Sequence, residues 1–171
     1  MQTGIAVVTF QDMEGAHKLL TMLHDLEKQH LVEIEDAVMI VKDEDGEIKV
    51  KETTDLTKAK GAAKGATLGL VIGLMLGGPI GGVLLGAAAG AMLSHKVDLG
   101  IPKGKIDLLT EEMTDGSSAL FVQGTSNREG AFRAAMQQSG GNLHDLQLTE
   151  QAVVDVHTVA TTQNYYDGMV G

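Results

Sequence analysis

The chain has 171 residues, with 23 acidic and 13 basic side chains and a formal net charge of −10. That balance argues against nucleic acid as a partner, because phosphate contact needs concentrated Lys and Arg. The lack of cysteine excludes disulfides, thiolate catalysis and Cys-based zinc sites, and the length suits one well-cored domain with an insertion.

The first patterns along the chain are a strand and a helix. Residues 4–10, GIAVVTF, are a β-branched and aromatic run of strand length. The start MQTGIAVVTF has no basic segment before this run, so we expect no secretory signal and a cytoplasmic protein. Apolar spacings of three and four then predict an amphipathic helix over about 12–29, with an apolar face made of Met13, Ala16, Leu19, Leu20, Leu23 and Leu26.

The next segment, LVEIEDAVMIVKDEDGEIKVKET, predicts two strands joined at Asp45–Gly46, a dipeptide that favours the positive φ angles of a tight turn. On the second strand, charged residues alternate with Ile48 and Val50, which predicts one solvated face. The turn is acidic but lacks the ligand spacing of a calcium loop, so we interpret it as a charged turn with no metal. Its acidic members are Asp43, Glu44, Asp45 and Glu47.

The C-terminal part repeats strand and helix patterns. KIDLLTEEM has helical spacing at Ile106, Leu109 and Met113, and SALFVQG from Ser118 has the composition of a strand. NREGAFRAAMQQSGG then predicts a helix closed by Gly140–Gly141. NLHDLQLT predicts a further strand, and residues 150–162 a final helix.

The two ends of the chain resemble each other. AVVTFQDMEGAHKLL from Ala6 and ALFVQGTSNREGAFRAA from Ala119 both run strand, polar turn, then Glu-Gly-Ala opening a helix. Two such units predict an α+β fold, a ferredoxin-like split βαβ domain, in which Gly15 and Gly130 let each helix pack closely on the sheet. The predicted boundaries are 1–56 for the first half (βαββ), 57–96 for an inserted glycine-zipper helical hairpin, 97–162 for the second half (αβαβα) and 163–171 for a tail.

Residues 65–94 contain no charged side chain, which on hydropathy alone would nominate one transmembrane helix. Glycines here recur every four residues, and the phase moves by one at Gly77–Gly78–Pro79. Because Pro79 lacks a backbone donor and disrupts a helix, we predict a hairpin turn there and two helices, about 58–76 and 80–95, packed on their glycine stripes. A kinked single span is the alternative. The stripes consist of Gly61, Gly65, Gly69, Gly73, Gly77, Gly78, Gly82, Gly86 and Gly90.

The sequence is compatible with two surroundings for this hairpin, a lipid membrane and the interior of a protein assembly. An interior glycine costs a helix about 1 kcal/mol relative to alanine, so close packing or lipid must enforce the helices. Lysines on both flanks favour a hairpin whose ends stay on the cytoplasmic side of a membrane. Each of the two predicted helices, here the arms of the hairpin, is shorter than a bilayer is thick, which favours burial in a soluble homo-oligomer instead. A glycine-rich linker is a third reading, disfavoured by the Leu, Val and Met content.

Three segments resemble a bacterial family catalogued as domain of unknown function 1269, whose members are labelled as predicted membrane proteins. They are the AVVTF start, the VEIEDAVMIVKDEDGEIKVKE hairpin and the GAAKGATLGLVIGLMLGGPIGG zipper. The resemblance extends to about residue 162. It implies this architecture and membrane association, and it brings no catalytic motif.

No motif predicts an enzyme, a cofactor or a small-molecule substrate. GIPKGK at 100–105 departs from the phosphate-binding loop in spacing and lacks its hydroxyl residue, and His17 and His24 lack metal-ligand spacing and are interpreted as solvated helix residues. We expect Tyr165 and Tyr166, in the tail, to contact a neighbouring subunit.

The sequence therefore predicts a non-enzymatic, self-associating structural or interaction protein with two partners, itself and a lipid membrane. Its expected location is the cytoplasmic face of the cell membrane, or the cytoplasm if the assembly is soluble. A soluble ring, shell or filament with the hairpins buried between subunits is one alternative, and a small-molecule-binding ferredoxin-like domain is another.

Overall fold

A computed structural model describes residues 4–52, 102–126 and 130–147. The chain divides into two compact units, of which one, the sheet unit, comprises residues 4–54 and 111–146. In the other unit the described residues are 102–110 and 147. The elements in chain order are β1 (Gly4–Phe10), α1 (Gly15–Lys28), β2 (Val32–Lys42), β3 (Ile48–Glu52), α2 (Lys103–Glu112), β4 (Ser117–Ser126), α3 (Ala131–Gln138) and β5 (Asn142–Gln147).

The predicted α+β class is confirmed, because five strands form one sheet in the order β3-β2-β4-β1-β5. β4 lies at the centre and pairs antiparallel with both β1 and β2, while β3 pairs antiparallel with the outer side of β2. Two strand-helix-strand segments, β1-α1-β2 and β4-α3-β5, therefore interleave, with the strands of one alternating with the strands of the other.

Both faces of the sheet bury apolar side chains. On the face that carries α1 and α3, here the helix face, Val8, Leu120 and Met39 form a row across three strands. On the opposite face, here the second face, the adjacent row is Val7, Phe121 and Val38. Successive strand residues point to opposite faces, so burial on both sides explains why these strands are continuous apolar runs. The helices contribute Ala16, Leu19, Leu20, Leu23, Ala135 and Met136 to the core.

A serine joins the start of α1 to the sheet. Ser118, fully buried on the helix face, accepts a hydrogen bond on Oγ from the Ala16 N–H (3.1 Å) and donates one to the Asp12 carbonyl (2.7 Å). One hydroxyl thus satisfies an N–H of the first helical turn and a carbonyl of the preceding turn.

The predicted helix over 12–29 is confirmed with narrower bounds, Gly15–Lys28. Asp12 accepts a hydrogen bond from the Glu14 N–H, and Lys18 N–H donates to the Glu14 carbonyl, so the helix begins after Glu14. The placement of Met13 on the apolar face is wrong, because Met13 precedes the helix and is 41% exposed. The other predicted face residues are buried, apart from half-buried Leu26.

The expected close packing of the two Glu-Gly-Ala glycines is right for one and wrong for the other. A Cβ built on Gly15 would lie 2.3 Å from Cγ of Phe10, so α1 approaches β1 too closely for any side chain there. At Gly130 no described atom lies within 4 Å, and φ is +79°. Gly130 supplies a left-handed residue before α3 and no close contact.

The remaining strands lie where the sequence predicts them. On β3, Lys49 and Lys51 are exposed and the intervening Val50 is half-buried, which confirms one solvated face. β5 is confirmed, although Leu143 and Leu146 are three residues apart and so lie on opposite faces. The glycine segment, the predicted helix over 150–162 and the domain boundaries at 56, 96 and 162 fall outside the described residues.

We predict that Gly15→Ala lowers the free energy of unfolding by about 1–3 kcal/mol, because the new methyl group overpacks Phe10. Gly104→Ala is the matched control, since it also lies in the first turn of a helix and no described atom lies within 4 Å of an added Cβ. Removing that glycine stabilises by up to about 1 kcal/mol. Urea unfolding of both variants measures the difference, and equal effects would show that the approach of α1 to β1 is not tight.

Candidate functional site

The residues that the sequence nominated for a role all lie outside the described residues. They are the stripe and turn residues Gly61, Gly65, Gly69, Gly73, Gly77, Gly78, Pro79, Gly82, Gly86 and Gly90, together with Tyr165 and Tyr166. Within the sheet unit, the structure instead brings together two groups of polar residues. One lies on the second face and the other at an end of the sheet.

The first group, here the polar trio, consists of Thr9, Glu112 and His144. Thr9 comes from β1, His144 from the neighbouring edge strand β5, and Glu112 is the last residue of α2. The Thr9 hydroxyl donates to Oε2 of Glu112, and Nε2 of His144 donates to the same oxygen at 2.9 Å. One carboxylate oxygen therefore accepts two hydrogen bonds from adjacent strands.

The trio is largely withdrawn from solvent. Thr9 is 1% exposed, and the side chains of His144 and Glu112 are 17% and 19% exposed. A buried hydroxyl whose proton already points at a carboxylate is out of reach of a substrate in this conformation. The geometry therefore suits a structural role, in which Glu112 ties the end of α2 to β1 and β5.

Sequence reasoning missed this trio. No metal-ligand or catalytic motif in the sequence includes His144, and Glu112 falls within the helical pattern KIDLLTEEM without further distinction. The available signal was strand alternation, since His144 occupies the same face of β5 as buried Leu146. A histidine on a buried face needs a partner, and the sequence does not reveal which distant residue supplies it.

The second group is the acidic turn after β2, organised by Asp43. Its Oδ1 accepts hydrogen bonds from the N–H groups of Asp45 (3.1 Å) and Glu47 (2.8 Å), and its Oδ2 accepts one from Nζ of Lys49 (3.1 Å). The predicted turn at Asp45–Gly46 is confirmed, with φ of +80° at Gly46. The connection is longer than a two-residue hairpin, because β2 ends at Lys42 and β3 begins at Ile48.

A second turn, residues 114–116 before β4, lies against the first, and together we call them the paired turns. The carbonyl of Asp43 accepts from both Gly46 N–H and Gly116 N–H, each at 3.1 Å. Lys42 joins the turns from the side, since its Nζ lies 3.0 Å from Oδ1 of Asp115 and donates to the Met113 carbonyl at 3.2 Å. The paired turns close the end of the sheet where β2 finishes and β4 starts.

The Asp43 carboxyl has a pKa below its ordinary value of 3.8, because Lys49 donates a hydrogen bond to it and the Glu47 N–H donates another. The same contact raises the pKa of Lys49 above 10.5, helped by the nearby negative charge of Glu47. Each partner therefore favours the charged form of the other.

No cluster of three or more His, Asp or Glu side chains in residues 4–52, 102–126 and 130–147 is arranged to hold a metal ion. No helix in those same ranges is long and apolar enough to cross a membrane. His17 is exposed and His24 half-buried on α1.

For the polar trio we predict energetic coupling between Thr9 and Glu112. Thr9→Val and Glu112→Gln each weaken the same charged hydrogen bond, so the double variant loses less stability than the sum of the single variants. A coupling of about 1–2 kcal/mol is expected in urea unfolding. The matched control is Thr21→Val on the exposed side of α1, where the hydroxyl donates to the His17 carbonyl, and its effect should add to that of Glu112→Gln. Additive losses for Thr9 and Glu112 would contradict the shared bond.

For Asp43 we predict a pH-dependent contribution to stability. A lowered carboxyl pKa means that the folded state favours the anion, so this stabilisation is present above pH 3.8 and is lost as pH falls through the lower folded pKa. Asp43→Asn keeps an oxygen acceptor and removes the charge. Its stability deficit in urea should therefore be largest near neutral pH and shrink below pH 3.8. A deficit that is constant with pH would contradict this, and Glu44→Gln in the same turn is the control.

Comparison with known proteins adds one match. A family model described as "Protein of unknown function (DUF1269)" matches residues 62–159, more than half of the chain. The match confirms the predicted family over a narrower range than the resemblance suggested, since it begins after β3. No curated protein and no solved structure is significantly similar. The chain belongs to this family of proteins of unknown function.

Proposed function

We propose that the protein is a non-enzymatic, self-associating structural or interaction protein that attaches to membranes through a glycine-zipper hairpin in residues 57–96. The observation that carries the proposal is the four-residue glycine period, with its change of phase at Gly77–Gly78 before Pro79. Glycines at this spacing make a smooth stripe on each predicted helix, and such stripes allow close helix association in lipid.

The sheet unit supports a structural role in a different way. Two of its buried polar side chains make internal contacts, because Ser118 bonds the start of α1 and Thr9 bonds Glu112, which also accepts from His144. The strand order β5-β1-β4-β2, with α1 and α3 in one core cluster, supports the ferredoxin-like arrangement as the finer description of this unit. β3 is then an additional edge strand beside β2.

The soluble alternative rests on arm length. At about 1.5 Å per residue, predicted arms over 58–76 and 80–95 reach roughly 24–28 Å, short of a hydrocarbon core of about 30 Å. Hairpins of that length suit burial between subunits of a ring, shell or filament. Tyr165 and Tyr166, as proposed subunit contacts, belong to either version.

Vesicle flotation of the full chain separates the two versions. The membrane proposal expects co-flotation with phosphatidylglycerol–phosphatidylethanolamine vesicles that survives high salt, because apolar insertion is insensitive to screening. A large particle that stays in the soluble fraction without detergent would overturn membrane attachment and favour the soluble assembly. A monomer in both conditions would overturn self-association itself.

For the zipper we predict that Gly69→Leu and Gly82→Leu each weaken self-association. A leucine on the stripe blocks close backbone approach, and overpacking of about 1–3 kcal/mol corresponds to a rise of about 5- to 150-fold in the dissociation constant. Val71→Leu adds bulk off the stripe and is the matched control. Sedimentation equilibrium measures the constants, and unchanged association in both glycine variants would remove the basis of the zipper.

A further inference from the structure

The paired turns bring together two copies of the same chemically reactive dipeptide. Asp45–Gly46 and Asp115–Gly116 are far apart in sequence, yet an ideal Cβ on Gly46 would lie 3.4 Å from Oδ1 of Asp115. Both glycines have positive φ, +80° and +78°, and both aspartates are exposed. A third such pair, Asp167–Gly168, lies outside the described residues.

Among aspartyl peptide bonds, Asp–Gly is the one most prone to rearrangement. The glycine nitrogen bonds to the side-chain carboxyl carbon of the preceding aspartate, and its amide proton and the hydroxyl group of the protonated carboxyl leave together as water. Hydrolysis of the resulting succinimide adds water back at either carbonyl, which gives aspartate or isoaspartate without change of mass. Glycine favours the reaction because it has no side chain to hinder the attack.

The structure restrains the nitrogen in both dipeptides through one atom. Gly46 N–H and Gly116 N–H both donate to the Asp43 carbonyl, so each must break a hydrogen bond before its nitrogen attacks. The side chain of Asp115 has an additional restraint, since Lys42 holds its Oδ1 at 3.0 Å. Among the ion pairs of the described residues, none includes Asp45.

We propose that Asp45 and Asp115 are two sites of isoaspartate formation whose reaction the fold slows. The Asp43 carbonyl restrains both reacting amides, and Lys42 further protects Asp115. Isoaspartate at either position inserts a methylene into the main chain of its turn. It therefore displaces the amides that Asp43 binds and loosens the partner turn as well. The folded protein thus forms isoaspartate first at Asp45.

The test is a time course of isoaspartate formation in the full chain at neutral pH, with and without urea, followed by peptide mapping with electron-transfer dissociation. In urea the two identical dipeptides should react at similar rates. In the folded protein both should slow by at least about fivefold, the factor implied by a typical net hydrogen bond, and Asp45 should react faster than Asp115. Equal folded and urea rates, or faster reaction at Asp115, would overturn the proposal.

Variants of Lys42 isolate its part. Lys42→Met should raise the folded rate at Asp115 and leave Asp45 nearly unchanged, whereas Lys42→Arg keeps the charge and should preserve the ranking. Lys51→Met, on the exposed side of β3, is the control. A parallel rise at both sites in Lys42→Met, with wild-type ranking retained, would show general loosening and overturn the specific role of Lys42. If Lys42→Met does not fold, the ranking in the wild type and in Lys42→Arg still decides the proposal.

Discussion

Apolar side chains cover both faces of the five-stranded sheet, so a polar group on a buried strand position has to find its partner within the protein. Three contacts follow from this. Ser118 on the helix face bonds the start of α1, Ser117 lies 3.8 Å from the Met113 sulfur, and Thr9 on the second face bonds Glu112. The polar contacts of the strands thereby fix the segments that enter and leave the sheet.

The sequence predicted the elements well because their signals are local. A β-branched and aromatic run marked β1, the apolar run in SALFVQG marked β4, helical spacing marked α1 and α2, and a segment closed by glycines marked α3. The ends were harder, because they depend on single hydrogen bonds and dihedral angles. α3 ends as expected at Gly140, with φ of +80°, whereas α1 ends with His30 in the same left-handed conformation at φ of 57°. His30 and Leu31 donate to the carbonyls of Glu27 and Leu26, the pattern that usually selects glycine.

Side-chain groups that form across the chain could not be predicted in the same way. The polar trio joins positions 9, 112 and 144, and the paired turns join positions 43 and 116. The local sequence around each of these residues carries no distinctive motif, and the contacts depend on the strand order. The glycine period has the opposite character, because it is explicit in the sequence and lies outside the described residues. The match to a family of unknown function covers that segment and the second strand-helix-strand part without naming an activity.

The interleaved strand order has a consequence for synthesis on the ribosome. β1 and β2 are made early, but the strand that lies between them, β4, begins about 75 residues after β2 ends. At a translation rate of about 5–20 residues per second, the two strands wait for roughly 4–15 s without their central partner. During that interval their inner edges are open to pairing with other chains, so the order in which this sheet is completed exposes the nascent protein to its own copies.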